Sequence, residues 1–181
     1  VISGWFSAIV LFPVSEEIAN GYIWGPWDDT DVDPLSRLRY RFVMTSNATD
    51  QYDYQLEAQL INDQTGTWTP IVVGNVTVTG GPHRGIGSMR VDFDTLHALD
   101  TAHPATQHGV ITYNFDVSQE APTAALPNKV TTLFDNYSDD STDMGTIDAT
   151  YEYFRYEALA GKFTFETQND IVGPNDALDG L

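Results

Sequence analysis

Arg37-Leu38-Arg39-Tyr40-Arg41-Phe42-Val43-Met44, followed after a polar turn by Tyr52-Asp53-Tyr54-Gln55-Leu56-Glu57-Ala58-Gln59-Leu60, decides the fold class. In the first run Leu38, Tyr40, Phe42 and Met44 point one way and Arg37, Arg39 and Arg41 the other. In the second, Tyr52, Tyr54, Leu56, Ala58 and Leu60 alternate with Asp53, Gln55, Glu57 and Gln59. Alternation with period two is the signature of a half-buried strand. Folding the two runs about Asn47–Ala48 predicts a hairpin with Phe42 opposite Tyr54, Tyr40 opposite Leu56 and Arg39 opposite Glu57. Cross-strand pairs of this kind contribute roughly 0.2–1 kcal/mol each. The three arginines form one ladder that would suit an anion, but acidic partners on the adjoining strand account for it without a ligand.

The same pattern extends along the chain. Thr67 to Thr79 is rich in Thr and Val, and Ile86 to Asp94 puts Met89, Val91 and Phe93 on one face. Gly109 to Val117 alternates Ile111, Tyr113, Phe115 and Val117 with polar residues. Thr146 to Leu159 and Lys162 to Thr167 are aromatic-rich and predict a second hairpin turning at Ala160–Gly161. The apolar run Trp5 to Phe12 reads as a buried strand, too short for the ~18–20 residues a membrane helix needs. Helix signals are confined to Asp94–Leu99, with Asp94 as cap, and a single turn at Glu16–Ala19. Trp24-Gly25-Pro26-Trp27 and Asp135 to Asp143 read as loops, and Gly85 to Ser88 as a turn or bulge. The expectation is one all-β domain over residues 1–181, an antiparallel sandwich or up-and-down barrel of about eight to ten strands. Residues 170–181 read as a loop or tail.

Charge narrows the partners. There are 26 acidic residues against 8 basic ones, a formal net charge of −18. Such a field repels nucleic acid and anionic lipid, whose binding relies on clustered Lys and Arg. Neither nucleic acid nor a membrane-spanning segment is expected. The absence of cysteine excludes disulfides, thiolate metal sites and cysteine nucleophiles. The sequons at Asn47, Asn75 and Asn136 would be glycan acceptors in a secreted protein from a glycosylating cell. The first residue is Val1, and a removed signal peptide or a lipid anchor upstream of residue 1 would each fit an extracellular or periplasmic protein.

Two constellations suggest metals. His83, His97, His103 and His108 fall within one short window, and His97, His103 and His108 are candidate transition-metal ligands, with Asp92, Asp94 or Asp100 to complete the shell. Their spacing matches no standard zinc signature, and four unconnected histidines are the alternative. Asp28, Asp29, Asp31 and Asp33 form one acidic cluster. Asp139, Ser141 and Asp143 form another, which suits a loop site for Ca2+, a solvated acidic turn being the alternative. No strained Gly-x-Ser-x-Gly elbow is present. The tryptophans and tyrosines would suit either the core or a sugar-stacking face.

The stretch Gly87-Ser88-Met89-Arg90-Val91-Asp92-Phe93-Asp94, then Leu96 and Leu99-Asp100, then Gly109 to Asn114, is similar to segments of uncharacterised secreted lipoproteins of myxobacteria and related bacteria. Phe163-Thr164-Phe165-Glu166 adds to the resemblance, which covers about a third of the chain. It implies a β-rich fold and an envelope location, and brings no activity and no catalytic residues. The lipid-bearing cysteine of such proteins is absent from this sequence. The expected function is a non-enzymatic binding or structural module at the cell surface, with a protein or glycan partner. The alternatives are a metal-binding protein or metalloenzyme using the His83–His108 cluster, and a self-assembling filament or array subunit with a donated N-terminal strand.

Overall fold

A computed structural model describes residues 12–29, 35–63, 66–81, 84–142, 145–157 and 160–167. In chain order they form β1 (Glu16–Ile18), β2 (Gly21–Asp28), β3 (Leu38–Ala48), β4 (Gln51–Leu60), β5 (Thr69–Val78) and β6 (Gly85–Asp92). Helix α1 (Phe93–Leu99) follows, then β7 (Gln107–Asp116), β8 (Asn128–Asp139), β9 (Ile147–Arg155) and β10 (Gly161–Thr167). Each strand pairs antiparallel with its sequence neighbour, giving one ten-stranded up-and-down sheet in the order β1 to β10. The fold is all-β and antiparallel as expected, and among the described residues the sheet is not closed into a barrel. No helix among the described residues is long and apolar enough to cross a membrane.

The β3–β4 hairpin turns at Thr49–Asp50, not at Asn47–Ala48. Asp50 takes a φ of 59°, a left-handed conformation that Asp tolerates, and the register shifts between Ser46 and Ala48. Phe42 therefore faces Leu56, Tyr40 faces Ala58, and it is Arg41, not Arg39, that faces Glu57. The displacement is two residues, so every side chain keeps its expected face.

Other segments differ in kind. Trp24-Gly25-Pro26-Trp27 lies inside β2, where pairing with β3 is interrupted between Trp24 and Trp27, and Trp24 is buried rather than exposed. Gly25 has a φ of 98° there, which only glycine adopts readily. Glu16–Ile18 is a strand instead of a helical turn. Gly85–Ser88 opens β6 with regular pairing to β5, not a bulge. Asn128–Asp139 is a full strand, although its second half reads as a loop. Helix α1 begins at Phe93 and is capped by Asp92, whose carboxylate accepts the Thr95 N–H at 2.9 Å. Asp94 is not the cap because its carboxylate accepts the Gly109 N–H instead, at 2.9 Å. Before β10 the Tyr156 and Glu157 N–H groups donate to the Ala160 carbonyl. The apolar stretch at residues 5–11 and the tail at 170–181 lie outside the described residues.

Register makes one face of the sheet continuous. Trp24, Phe42, Leu56, Val72, Val91, Ile111, Phe134 and Ala149 are successive cross-strand partners from β2 to β9. A parallel row runs through Tyr22, Met44, Tyr54, Gly74, Met89, Tyr113, Thr132, Tyr151 and Phe165. Trp24, Phe42, Tyr54 and Met89 form the buried cluster, with Leu56, Val72, Val91 and Tyr113 packed against it. Fully burying a ring such as Phe42 contributes roughly 1.5–3 kcal/mol.

One contact shapes this face. The Tyr54 ring lies over the backbone of β5 at Gly74, and its hydroxyl donates to the Ser88 carbonyl of β6 at 2.9 Å. A Cβ at Gly74 would collide with both the ring and that carbonyl. Burial pushes the Tyr54 phenol up to about 12, so it remains a donor across the ordinary pH range. Tyr54→Phe is expected to cost about 0.5–1.5 kcal/mol and Gly74→Val about 1–3 kcal/mol, read as lower urea midpoints at unchanged slope. Equal stability of Tyr54→Phe and the wild type would show that the hydroxyl contributes nothing.

Candidate functional site

The inner face is buried at its centre and opens toward both ends, at Tyr22 of β2 and at the β9–β10 hairpin. At β9–β10, Tyr153 faces Phe163 and Tyr151 faces Phe165, on the same face as the buried core. Tyr153 is 47% exposed, Phe163 62% and Phe165 47%, whereas Phe42 on the same face is 2% exposed. The rings are mutually supported. Phe134 meets Tyr151 edge-on at 5.2 Å, and Tyr151 lies 4.6 Å from Phe165 and 5.8 Å from Phe163. Phe134 also meets Tyr137, which meets Phe93 of α1, each at 5.6 Å. The outcome is an aromatic terrace anchored in the core and open at the sheet edge, where among the described residues β10 pairs only with β9. Contiguous exposed apolar surface of this kind marks a docking surface.

Most of the basic side chains are committed to acids. Arg41 pairs with buried Glu57 and stacks over Trp68 at 4.5 Å, and Arg39 pairs with Asp28 at 3.3 Å. Arg84–Glu120 at 3.1 Å, Arg90–Asp92 at 2.9 Å and Lys129–Glu152 continue the pattern. The arginine ladder is thus neutralised by acids, drawn from three separate elements rather than from one adjoining strand.

The histidine window is brought together only in part. His97 and His108 pack with ring centres 4.2 Å apart and planes tilted by 46°. The His97 Nδ1 lies 2.7 Å from the Ala105 carbonyl oxygen, and the His108 Nε2 lies 3.1 Å from the Asp140 carboxylate. The other His108 nitrogen is 3.7 Å from Asp94. These contacts tie α1, β7 and the end of β8 to one another. His103 is exposed and meets its surroundings through its backbone N–H, which donates to Asp100 at 3.2 Å. His83 lies outside the described residues, and among those described no group of three or more His, Asp or Glu side chains could hold a metal ion.

The acidic segment at the end of β8 is a hydrogen-bonded turn. Asp139 accepts from the Ser141 N–H at 2.9 Å, the Ser141 hydroxyl at 2.7 Å and the Gln107 amide at 3.1 Å. The Ser141 hydroxyl and N–H hold its carboxyl down to about 2. Asp143, Asp31 and Asp33 lie outside the described residues. The sequon residues Asn47, Asn75 and Asn136 are all exposed. The Asn75 amide donates to the Ser88 hydroxyl at 3.0 Å and that of Asn136 to Asp135 at 2.9 Å.

Protein-family models, curated proteins and solved structures give no match to this chain. The terrace's aromatic alternation was legible in the sequence, its exposure was not.

The most deeply buried charge was also missed. Asp100 is 1% exposed, follows α1, and takes a forked ion pair from Arg37 at the mouth of β3. Its carboxylate also accepts the Ala102 N–H at 3.1 Å and the His103 N–H at 3.2 Å. Sixty-three residues separate the partners, so no local pattern announces the pair. Helix α1 packs on β7, β4 and β5, and the pair fastens its far end to β3.

Arg37, helped by the two backbone N–H groups, holds the Asp100 carboxyl down from 3.8 to about 2. A depressed carboxyl contributes stability that is complete above its unfolded value and lost as pH falls through its folded one. The melting temperature should therefore drop between pH 4 and about 2, and Asp100→Asn should flatten part of that limb, Asp139 titrating in the same window. At neutral pH Asp100→Asn should cost roughly 1.5–3 kcal/mol, as loss of a hydrogen-bonded charge does. An acid limb of unchanged height in the variant would show the pair to be idle.

Proposed function

We propose that this chain is a non-enzymatic extracellular or periplasmic β-domain, a binding or structural module at the cell surface that docks an apolar partner on the terrace of Tyr151, Tyr153, Phe163 and Phe165. The observation that carries this reading is the change of exposure along one face. Phe42 of β3 and Tyr54 of β4 are buried, whereas Tyr153 of β9 and Phe163 and Phe165 of β10 are exposed on the same face. Aromatic rings held by their neighbours lose little conformational freedom on binding, which favours an interface. The acidic, cysteine-free composition and the resemblance to secreted lipoproteins support the envelope location.

A neutral solvatochromic dye, Nile red, tests the terrace in dilute wild-type protein. Fluorescence enhancement is expected, and Phe163→Ser with Phe165→Ser should remove most of it while the melting temperature stays within a few degrees. Dye binding that is absent, or that is indifferent to those substitutions, would end the docking reading. Turnover of any substrate that vanishes when one particular side chain is replaced would end the non-enzymatic one.

A further inference from the structure

We propose that the occupant of the terrace is a second copy of this chain, paired through β10 in an antiparallel, two-fold arrangement centred on Thr164. The inference rests on the docking reading above and names its partner. A two-fold interface requires a strand that complements itself. β10 reads Gly161-Lys162-Phe163-Thr164-Phe165-Glu166-Thr167, and Thr164 is its middle residue. With Thr164 opposite Thr164 of the second copy, Lys162 faces Glu166 and Glu166 faces Lys162. Phe163 faces Phe165 and Phe165 faces Phe163. All seven residues are then paired.

Register leaves little choice. A slip of one residue would turn one copy's aromatic face to the opposite side. A slip that moves the centre to Phe163 or Phe165 keeps the faces but sets Lys162 opposite Thr164, or Thr164 opposite Glu166. Only the Thr164-centred register makes both ion pairs and both aromatic pairs. On the apolar face it places the exposed Phe163, Phe165 and Tyr153 of each copy beside those of the other, extending the core across the junction. On the opposite face it uses a cation that pairs with no described acid. Of the 8 basic residues, Arg37, Arg39, Arg41, Arg84, Arg90 and Lys129 form ion pairs with described acids, and Arg155 and Lys162 of the last hairpin do not. The net charge of −18 opposes association at low salt. At ~0.15 M salt the Debye length falls to about 8 Å, and contacts between abutting strands outlast that screening better than the long-range repulsion does.

Sedimentation velocity on the full chain at ~0.15 M salt, over a range of protein concentrations, reads the assembly directly. The wild type is expected to dimerise. Lys162→Glu sets Glu against Glu, and Glu166→Lys sets Lys against Lys, so each should weaken the dimer about tenfold or more. An equimolar mixture of the two variants should recover it as a heterodimer, and the double exchange Lys162→Glu with Glu166→Lys should recover it as a homodimer. Because both positions are exposed, these variants should fold, which circular dichroism checks. A monomeric wild type, a dimer indifferent to either single exchange, or a mixture that stays monomeric overturns the proposal. A monomeric wild type that still binds Nile red through Phe163 and Phe165 would leave the docking surface standing with another occupant. Loss of both signals would remove the surface as well.

Discussion

The close approach of Tyr54 to Gly74 is the contact on which the rest of the sheet depends. In an up-and-down sheet each hairpin is free to choose its register, and one slip of a single residue would turn an entire strand's apolar set outward. Tyr54 reaches over a strand that offers no side chain at that point and bonds to the carbonyl of the strand beyond it, so β4, β5 and β6 are locked as a triple. Gly87, on the same face, is covered by the Phe115 ring in like manner. With three central strands in fixed register, the rows of side chains on either side follow by pairing. Those rows determine which rings meet in the core and which are left at the β10 edge.

Charge is organised by proximity rather than by sign. The chain carries 26 acids, yet its few cations are not gathered into a patch. Each of the six paired ones is spent on an acid from a neighbouring strand, turn or helix end, and the deepest pair joins Arg37 to Asp100 across the packing of α1. Exposed pairs contribute little to stability individually, whereas a carboxylate as buried as Asp100 could not remain charged without its partner. The excess of acid is left to the surface, where it favours solubility.

Alternation made the central strands legible before any coordinates. Leu38 to Met44, Tyr52 to Leu60 and Gly109 to Val117 declare their faces because a half-buried strand must alternate. The elements that sequence missed are those where that rule is interrupted. β2 is broken by Gly25-Pro26, and β8 carries Asn136 in a left-handed conformation at the point where its pairing with β9 shifts. Helix α1 was expected one residue late because Asp92 and Asp94 are equally good caps in isolation. The Gly109 N–H, distant in the chain, claims Asp94 and leaves Asp92 for the helix.

The sequence by itself determined the all-β class, the assignment of residues to faces and the charge balance, since these depend on period-two chemistry and on composition alone. Tertiary structure decided the registers, the burial of Trp24, the meeting of His97 with His108 and the pairing of Arg37 with Asp100. It also decided that Phe42 is core while Phe163 is surface. The two phenylalanines sit in the same local alternation, and what separates them is the set of neighbours that the fold packs against each ring, Phe42 lying between Trp24 and Tyr54. A local pattern carries no information about that, because those neighbours come from other strands.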